Sequence, residues 1–265
     1  MPFERPIVHK EINKKMGDKM LGRGVEKSVW GHKESPEKVI GVYHKDRGIH
    51  PETMKAKKYF MDILHMLYPE HFTKVYSTGA RDNKEGTQSY AFLKRLDLDE
   101  RHKAIEAWRH VRGKEYWQQK EKFDKIGQEI LDSEQFKNFE KLLEGLGIDI
   151  NGQYGVFEKG YGNFTFDPDG TIRMIEMGDP FGYDGEINAG KTEIDLAFEE
   201  KKLRARIEEK LTGDEKTRAL IYLDRIIKLK EELENRLKEE RATMQAKWEK
   251  DRARKEKIRQ NRKNK

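Results

Sequence analysis

One short stretch, from Tyr154 to Pro180, restricts the fold of this chain more than any other. Its sequence predicts two short β-runs joined by a turn at 167–170, because the Asp-Pro-Asp-Gly of that turn favours a tight reversal. The apolar residues of the two runs are Phe164, Phe166, Ile172, Met174 and Ile175. A hairpin of this kind brings the residues before it close to the residues after it.

Polar side chains flank both ends of this predicted hairpin. Glu158 and Asn163 precede the first run, and Glu176 and Asp179 follow the second. Carboxylate and amide oxygens are the ligands that hard divalent cations prefer in proteins. The closure of the turn therefore predicts a metal site, and an ordinary hairpin with acidic flanks is the alternative.

The spacing within this stretch resembles the catalytic centre of the protein kinase superfamily. That family has an aspartate, an asparagine five residues later, a hairpin and then Asp-Phe-Gly. Here Glu158 stands five residues before Asn163, and Glu-Met-Gly at 176–178 takes the place of Asp-Phe-Gly. Glutamate thus replaces both aspartates of the family.

The resemblance implies a role for each of these polar residues. Glu158 would accept or orient the proton of the attacking hydroxyl. Asn163 and Glu176 would hold Mg²⁺ against the phosphates of ATP. Asp179 would be a further metal ligand, or else a loop acid that precedes a proline.

A second motif of the resemblance lies near the start of the chain. Residues 22–29, GRGVEKSV, fit the kinase glycine-rich loop except that Lys27 replaces its third glycine. The strand at 39–42 should carry the phosphate-binding lysine, but Gly41 occupies that position. The With-no-lysine kinases take their lysine from a loop that also reads Gly-Arg-Gly-x-x-Lys-x-Val. The resemblance therefore implies that the nucleotide is bound by Gly22, Arg23, Gly24 and Lys27; for Lys27, a solvated strand lysine is the alternative.

The segments between these motifs predict strands and helices in a kinase-like order. Pro51 and an apolar stripe predict a helix over 51–69, in which Asp62 is the only mid-helix acid. In the family, a glutamate on this helix pairs with the strand lysine. We therefore do not expect that ion pair in this chain. Two strands, 72–76 and 89–96, should surround a turn at 79–86, and helices over 98–147 should pack beneath the hairpin.

The C-terminal part predicts two helices. Residues 195–212 should form an amphipathic helix with Gly213 just past its end, and Asp214 could cap a helix that runs nearly to the C-terminus. This second helix has an apolar seam of about two heptads. The seam consists of Ile226, Leu229, Leu233 and Leu237. From Lys247 to Lys265 there are ten Lys/Arg and three Asp/Glu, so this tail has a net charge of +7. The whole chain has a net charge of +6, so the remaining residues together have a net charge of −1.

The composition excludes several classes of protein. The chain has no cysteine, so disulfides, thiolate metal sites and cysteine nucleophiles are ruled out. No apolar run approaches the roughly 18 residues that a membrane span needs, and the first residues lack a signal-peptide core. We therefore expect a cytoplasmic protein.

Together these features predict an α+β fold of the two-lobed, protein kinase-like type. An N-lobe with a small antiparallel sheet would cover 1–95, a reduced helical C-lobe 96–212, and a long charged helix with a basic tail 213–265. The implied function is an ATP- and Mg²⁺-dependent phosphotransferase whose acceptor is an unknown protein or small molecule. Two alternatives stay open. One is a catalytically inactive pseudokinase scaffold whose C-terminal helix associates with itself or with a protein partner; the other is a protein that binds nucleic acid through the basic tail.

Overall fold

The fold is α+β, as the sequence predicts. The structure, a computed structural model, describes residues 10–23, 27–43, 50–83, 86–96, 100, 114–148, 164–175, 178–181 and 193–263. The helices are α1 Lys10–Lys15, α2 Pro51–Leu67, α3 Lys114–Asp132, α4 Glu134–Gly145, α5 Glu200–Lys210 and α6 Gly213–Lys263. The strands are β1 Met16–Arg23, β2 Lys27–His32, β3 Lys38–Tyr43, β4 Val75–Asn83, β5 Gly86–Lys94, β6 Phe164–Phe166 and β7 Ile172–Met174.

The larger sheet is antiparallel, and its five strands lie in the order β1-β2-β3-β5-β4. Successive side chains of a strand point to opposite faces. In β3, Val39 and Tyr43 therefore join the main core, whereas Ile40 and Val42 join a smaller core that includes Ile12 of α1. The main core lies on the face of the sheet that packs against α2.

Strands β4 and β5 are longer than the sequence predicted, and the expected turn over 79–86 is wrong. Strand β4 continues to Asn83 and β5 begins at Gly86. Gly79 pairs with Tyr90 inside this ladder, and a Cβ on Gly79 would stand 2.4 Å from the Tyr90 side chain. The glycine thus allows a close approach of the tyrosine ring and does not form a turn.

The hairpin at the centre of the sequence prediction is confirmed. Strands β6 and β7 pair antiparallel, and Gly170 adopts a φ of 85°, which suits glycine. The N–H of Gly170 donates to the carbonyl of Asp167, and the N–H of Thr171 donates to Oδ1 of Asp169. The hydrogen bond from Thr171 lowers the pKa of Asp169. Asp167 and Asp169 are therefore turn-forming residues, as predicted.

This hairpin is attached to the segment that follows α2. The N–H of Met174 donates to the carbonyl of His71 at 2.8 Å, and the Thr73 hydroxyl donates to the carbonyl of Met174 at 2.9 Å. Phe72 also forms a parallel bridge with Met174. This segment leads from α2 into β4, so the hairpin lies against the connection between that helix and the larger sheet.

Helix α6 has a buried first half and an exposed second half. Its four seam residues, predicted from their heptad spacing, are buried in the chain's own core, against a surface that includes α2. From Lys238 to Glu256 every side chain is exposed, including Met244 and Trp248. The helix begins at Gly213, so Asp214 lies in its first turn and is not the cap that the sequence suggested. None of the helices in the described ranges has the length and hydrophobicity that a membrane crossing requires.

Candidate functional site

The first component of the site is a lysine that lies over a glycine. Lys27 begins β2 and pairs with Tyr43 of β3, and Gly41 lies on the same face two residues along. A Cβ added to Gly41 would stand 3.6 Å from Cδ of Lys27, which is ordinary van der Waals contact. A longer side chain at position 41 would compete with Lys27 for this space. The stem of Lys27 therefore runs above the strand position at which the resemblance expects a lysine.

Two ammonium groups converge on one tyrosine at the end of β3. The Nζ of Lys27 lies 5.7 Å from the centroid of the Tyr43 ring, and the Nζ of Lys57 lies 5.5 Å from it. Cations at this distance are attracted by the negative face of an aromatic ring. Tyr43 is buried and faces α2, so a cation from the sheet and a cation from the helix share one neighbourhood.

The third component is a carboxylate from the segment after the hairpin. The Nζ of Lys57 lies 3.1 Å from Oδ2 of Asp179, and the two side chains are 5% and 21% exposed. The N–H of Phe181 donates to the other oxygen, Oδ1, at 3.0 Å. A charge-assisted contact with so little solvent is stronger than an exposed one. It ties the segment after β7 to α2, and through Tyr43 to the start of β2.

The remaining predicted site residues are only partly described. Gly22 and Arg23 belong to β1, where they pair with Val29 and Ser28. The other four lie outside the described residues: Gly24, Glu158, Asn163 and Glu176. Of the three predicted metal ligands, Asp179 is the one that lies within the described residues. Within the described ranges, no group of three or more His, Asp or Glu side chains is placed to hold a metal ion.

The motifs in the sequence did not point to Lys57. The mid-helix acid of α2, Asp62, pairs with Lys58 of its own helix. Burial raises the pKa of Asp62, although the hydrogen bond from Lys58 acts in the opposite direction. A signal was present: Lys57 interrupts the apolar face of α2 between Met54 and Met61, at spacings of three and four residues. Lysine is almost never fully buried unless it is paired, so that position required a partner.

Comparison of the chain with protein-family models and with curated proteins finds no match. The interpretation of the site therefore depends on the geometry of the chain's own residues.

Proposed function

We propose that this chain is a nucleotide-binding, magnesium-dependent phosphotransferase with a two-lobed, kinase-like layout. The observation that carries the proposal is the approach of Lys27 and Lys57 to the ring of Tyr43, with Asp179 paired to Lys57. Phosphoryl transfer needs a cation on one side of the nucleotide phosphates and a carboxylate on the other. In this proposal the cation is the strand lysine beside the glycine-rich residues, and the carboxylate is the one after the hairpin.

The order of the elements supports the same reading. Helix α2 connects β3 to β4 of the sheet, α3 and α4 follow, and the β6–β7 hairpin comes next. The chain then returns to α2 through Asp179. A sheet with one helix, then further helices, then a hairpin with flanking acids is the arrangement that the kinase resemblance implies.

Each residue has a defined role in this proposal. Lys27 binds the phosphates of ATP in place of the absent strand lysine, and Gly22, Arg23 and Gly24 cover them. Glu158 accepts the proton of the acceptor's hydroxyl group. The metal ligands would be the oxygen donors of Asn163, Glu176 and Asp179, which are of the type that Mg²⁺ prefers. The bound ion would offset the negative charge of the phosphates.

The test is the melting temperature of the full chain with and without Mg-ATP. A ligand at about 100 times its Kd stabilises a protein by about 2.7 kcal/mol, so we expect a shift of several degrees. Lys27→Met and Glu176→Ala should each reduce the shift. Lys38→Met is the matched control, because Lys38 is also a strand lysine whose Nζ lies over a tyrosine ring, 4.9 Å from the centroid of Tyr76.

Either of two outcomes would overturn the proposal. If Mg-ATP does not shift the melting temperature of the wild-type chain, there is no nucleotide site to explain. If Lys27→Met responds like Lys38→Met and wild type, the strand cation has no role in nucleotide binding.

An inactive scaffold is the second candidate. The exposed half of α6 favours it, since Met244 and Trp248 are 67% and 62% exposed on a helix that has left the core. Such a protein would also gain melting temperature with Mg-ATP. Transfer of labelled γ-phosphate, either to the chain itself or to an added acceptor, distinguishes the two, because only the phosphotransferase transfers label.

A further inference from the structure

We propose that the C-terminal end of α6 is a nucleic-acid interface, a basic helical arm that binds the phosphate backbone of a duplex without sequence preference. This inference goes beyond the proposed phosphotransferase function and does not depend on it, because none of its residues belongs to the nucleotide site. The sequence leaves nucleic acid open as an alternative partner. The structure adds the helical shape of the segment and the exposure of its side chains.

The charge of α6 changes abruptly at Arg252. Residues 213–251 include ten Lys/Arg and ten Asp/Glu, so this part of the helix has no net charge. Residues 252–263 include seven Lys/Arg and one Asp/Glu, which is a net charge of +6. These helical residues extend over about 18 Å, so they present one net positive charge per about 3 Å. Double-stranded DNA has one negative charge per about 1.7 Å of its axis, so the two charge densities are of the same order.

The basic end of the helix begins where the chain has already left the core. The buried seam of α6 ends at Leu237, which is 8% exposed. Every side chain from Lys238 to Glu256 is exposed, and the helix continues to Lys263. At the usual rise of an α-helix, residues 238–263 span about 39 Å. A polyanion can therefore approach the described cations of the arm from solvent.

The first cation of the basic end, Arg252, is oriented by its neighbours and stays exposed. Its guanidinium carbon lies 5.5 Å from the centroid of the Trp248 ring, and its Nε lies 3.4 Å from Oε1 of Glu256. The two side chains of this ion pair are 65% and 60% exposed. An exposed ion pair contributes little free energy, and guanidinium groups bind phosphate oxygens well. A backbone phosphate can therefore replace the carboxylate of Glu256.

The composition of the arm disfavours two other partners. A helix that lies on a membrane surface buries an apolar face among the lipids, but Ile258 is the one large apolar residue of 252–263. Two copies of the arm side by side would bring the cations of both chains together, and like charges repel each other. A duplex fits both features, because its phosphates attract cations and need no apolar face.

The experiment measures binding of the full chain to a short fluorescent DNA duplex, and to the RNA duplex of the same sequence, by anisotropy over a series of salt concentrations. The arm variant combines Arg252→Gln, Arg254→Gln and Lys255→Gln. Each phosphate contact adds about 0.9 to the salt slope, so between about 50 and 200 mM salt wild type should lose about 40-fold more affinity than the arm variant. Binding to either duplex supports the inference, and the tighter of the two identifies the preferred nucleic acid.

A matched control separates a localised interface from the overall charge of the chain. Lys201→Gln, Arg218→Gln and Lys228→Gln together remove the same number of charges from exposed positions on α5 and on the first half of α6. This control should keep the wild-type affinity and salt dependence. Both variants should melt close to wild type, because exposed substitutions change stability little.

Two results would overturn the inference. One is a wild-type chain that binds neither duplex at about 50 mM salt, where phosphate contacts are strong; binding to phosphatidylserine vesicles in that case would assign the arm to a membrane surface. The other is an arm variant whose salt dependence equals that of the control variant, which would mean that the end of α6 makes no phosphate contacts of its own.

Discussion

Helix α2 contributes a buried residue to an ion pair on each of two sides, and the two pairs differ in what they connect. Lys57 pairs with Asp179 on the segment after the hairpin, whereas Glu52 pairs with Arg236 of α6. Both α2 residues are nearly inaccessible, at 4% and 8% exposure. Burial alone therefore does not distinguish a functional charge from a structural one.

The surroundings of each pair make the distinction. The Glu52 pair lies where α2 packs along α6, and Arg225 of α6 also donates to the Tyr59 hydroxyl at 3.0 Å. That side is a helix–helix contact. The Lys57 pair instead adjoins Tyr43 and a second cation, Lys27, from the glycine-rich end of the sheet. We infer that one side of α2 holds the fold together and that the other lies at the proposed nucleotide site.

The largest effect should come from the apolar contact on the α6 side. Leu233 is fully buried, so Leu233→Ala should lower the free energy of unfolding by about 3 kcal/mol through lost burial and a cavity. Urea unfolding measures this. Met244→Ala, on the exposed half of the same helix, is the control and should change stability by less than about 0.5 kcal/mol. Similar losses of stability in both variants would contradict the difference in burial between the two halves of α6.

The next effect should come from the ion pair on the α6 side. Glu52→Gln removes the charge that Arg236 contacts, and we expect a loss of about 2 kcal/mol, less than for a fully buried pair because Arg236 is 39% exposed. The Mg-ATP melting shift should stay at the wild-type value. A reduced shift would show that the two sides of α2 cannot be separated.

A smaller, pH-dependent effect should come from Glu234 of α6. Burial raises its pKa, but the hydrogen bonds from Lys230 and from the N–H of Ile194 outweigh this and lower it overall. A lowered pKa in the folded state contributes stability above the ordinary value of 4.5, and this stability is lost as the pH falls through the folded value. Wild type should therefore exceed Glu234→Gln in stability near neutral pH, and the gap should shrink below that value. Urea unfolding over a pH series checks this, and a gap that widens in acid would contradict it.

The smallest effect should come from the end of α6. Removal of residues 247–265 deletes the segment of charge +7, whose described side chains are all exposed. The melting temperature should remain within about 1 °C of wild type, since exposed residues contribute little to stability. If the tail binds nucleic acid, the full chain should bind it with a steep salt dependence that the truncated chain lacks.

Local sequence signals predicted the α+β class and several individual elements of the fold. The Asp-Pro-Asp-Gly turn predicted the hairpin, and Pro51 with an apolar stripe predicted the start of α2. Both features depend only on residues that are neighbours in sequence. The turn predicted to begin at Gly79 was wrong, because a glycine in a turn and a strand glycine beneath a tyrosine ring cannot be told apart in sequence. The distinction depends on Tyr90, which lies on another strand.

The site was less predictable for the same reason. The stem of Lys27 lies near Gly41 because the two residues belong to adjacent strands of one sheet. Its replacement of the strand lysine in phosphate binding stays a prediction. The partnership of Lys57 with Asp179 joins a helix to a segment far along the chain, and no local pattern encodes it. The lysine on an apolar helix face indicated only that some partner must exist.

Direct titration of the wild-type chain with Mg-ATP by calorimetry tests the central claim most directly, that Lys27 and Asp179 lie at opposite sides of a nucleotide site. We expect binding at one site per chain, weakened by Lys27→Met and Asp179→Asn and unchanged by Lys38→Met. Absence of binding heat across the accessible temperatures, or binding that neither substitution weakens, would contradict it.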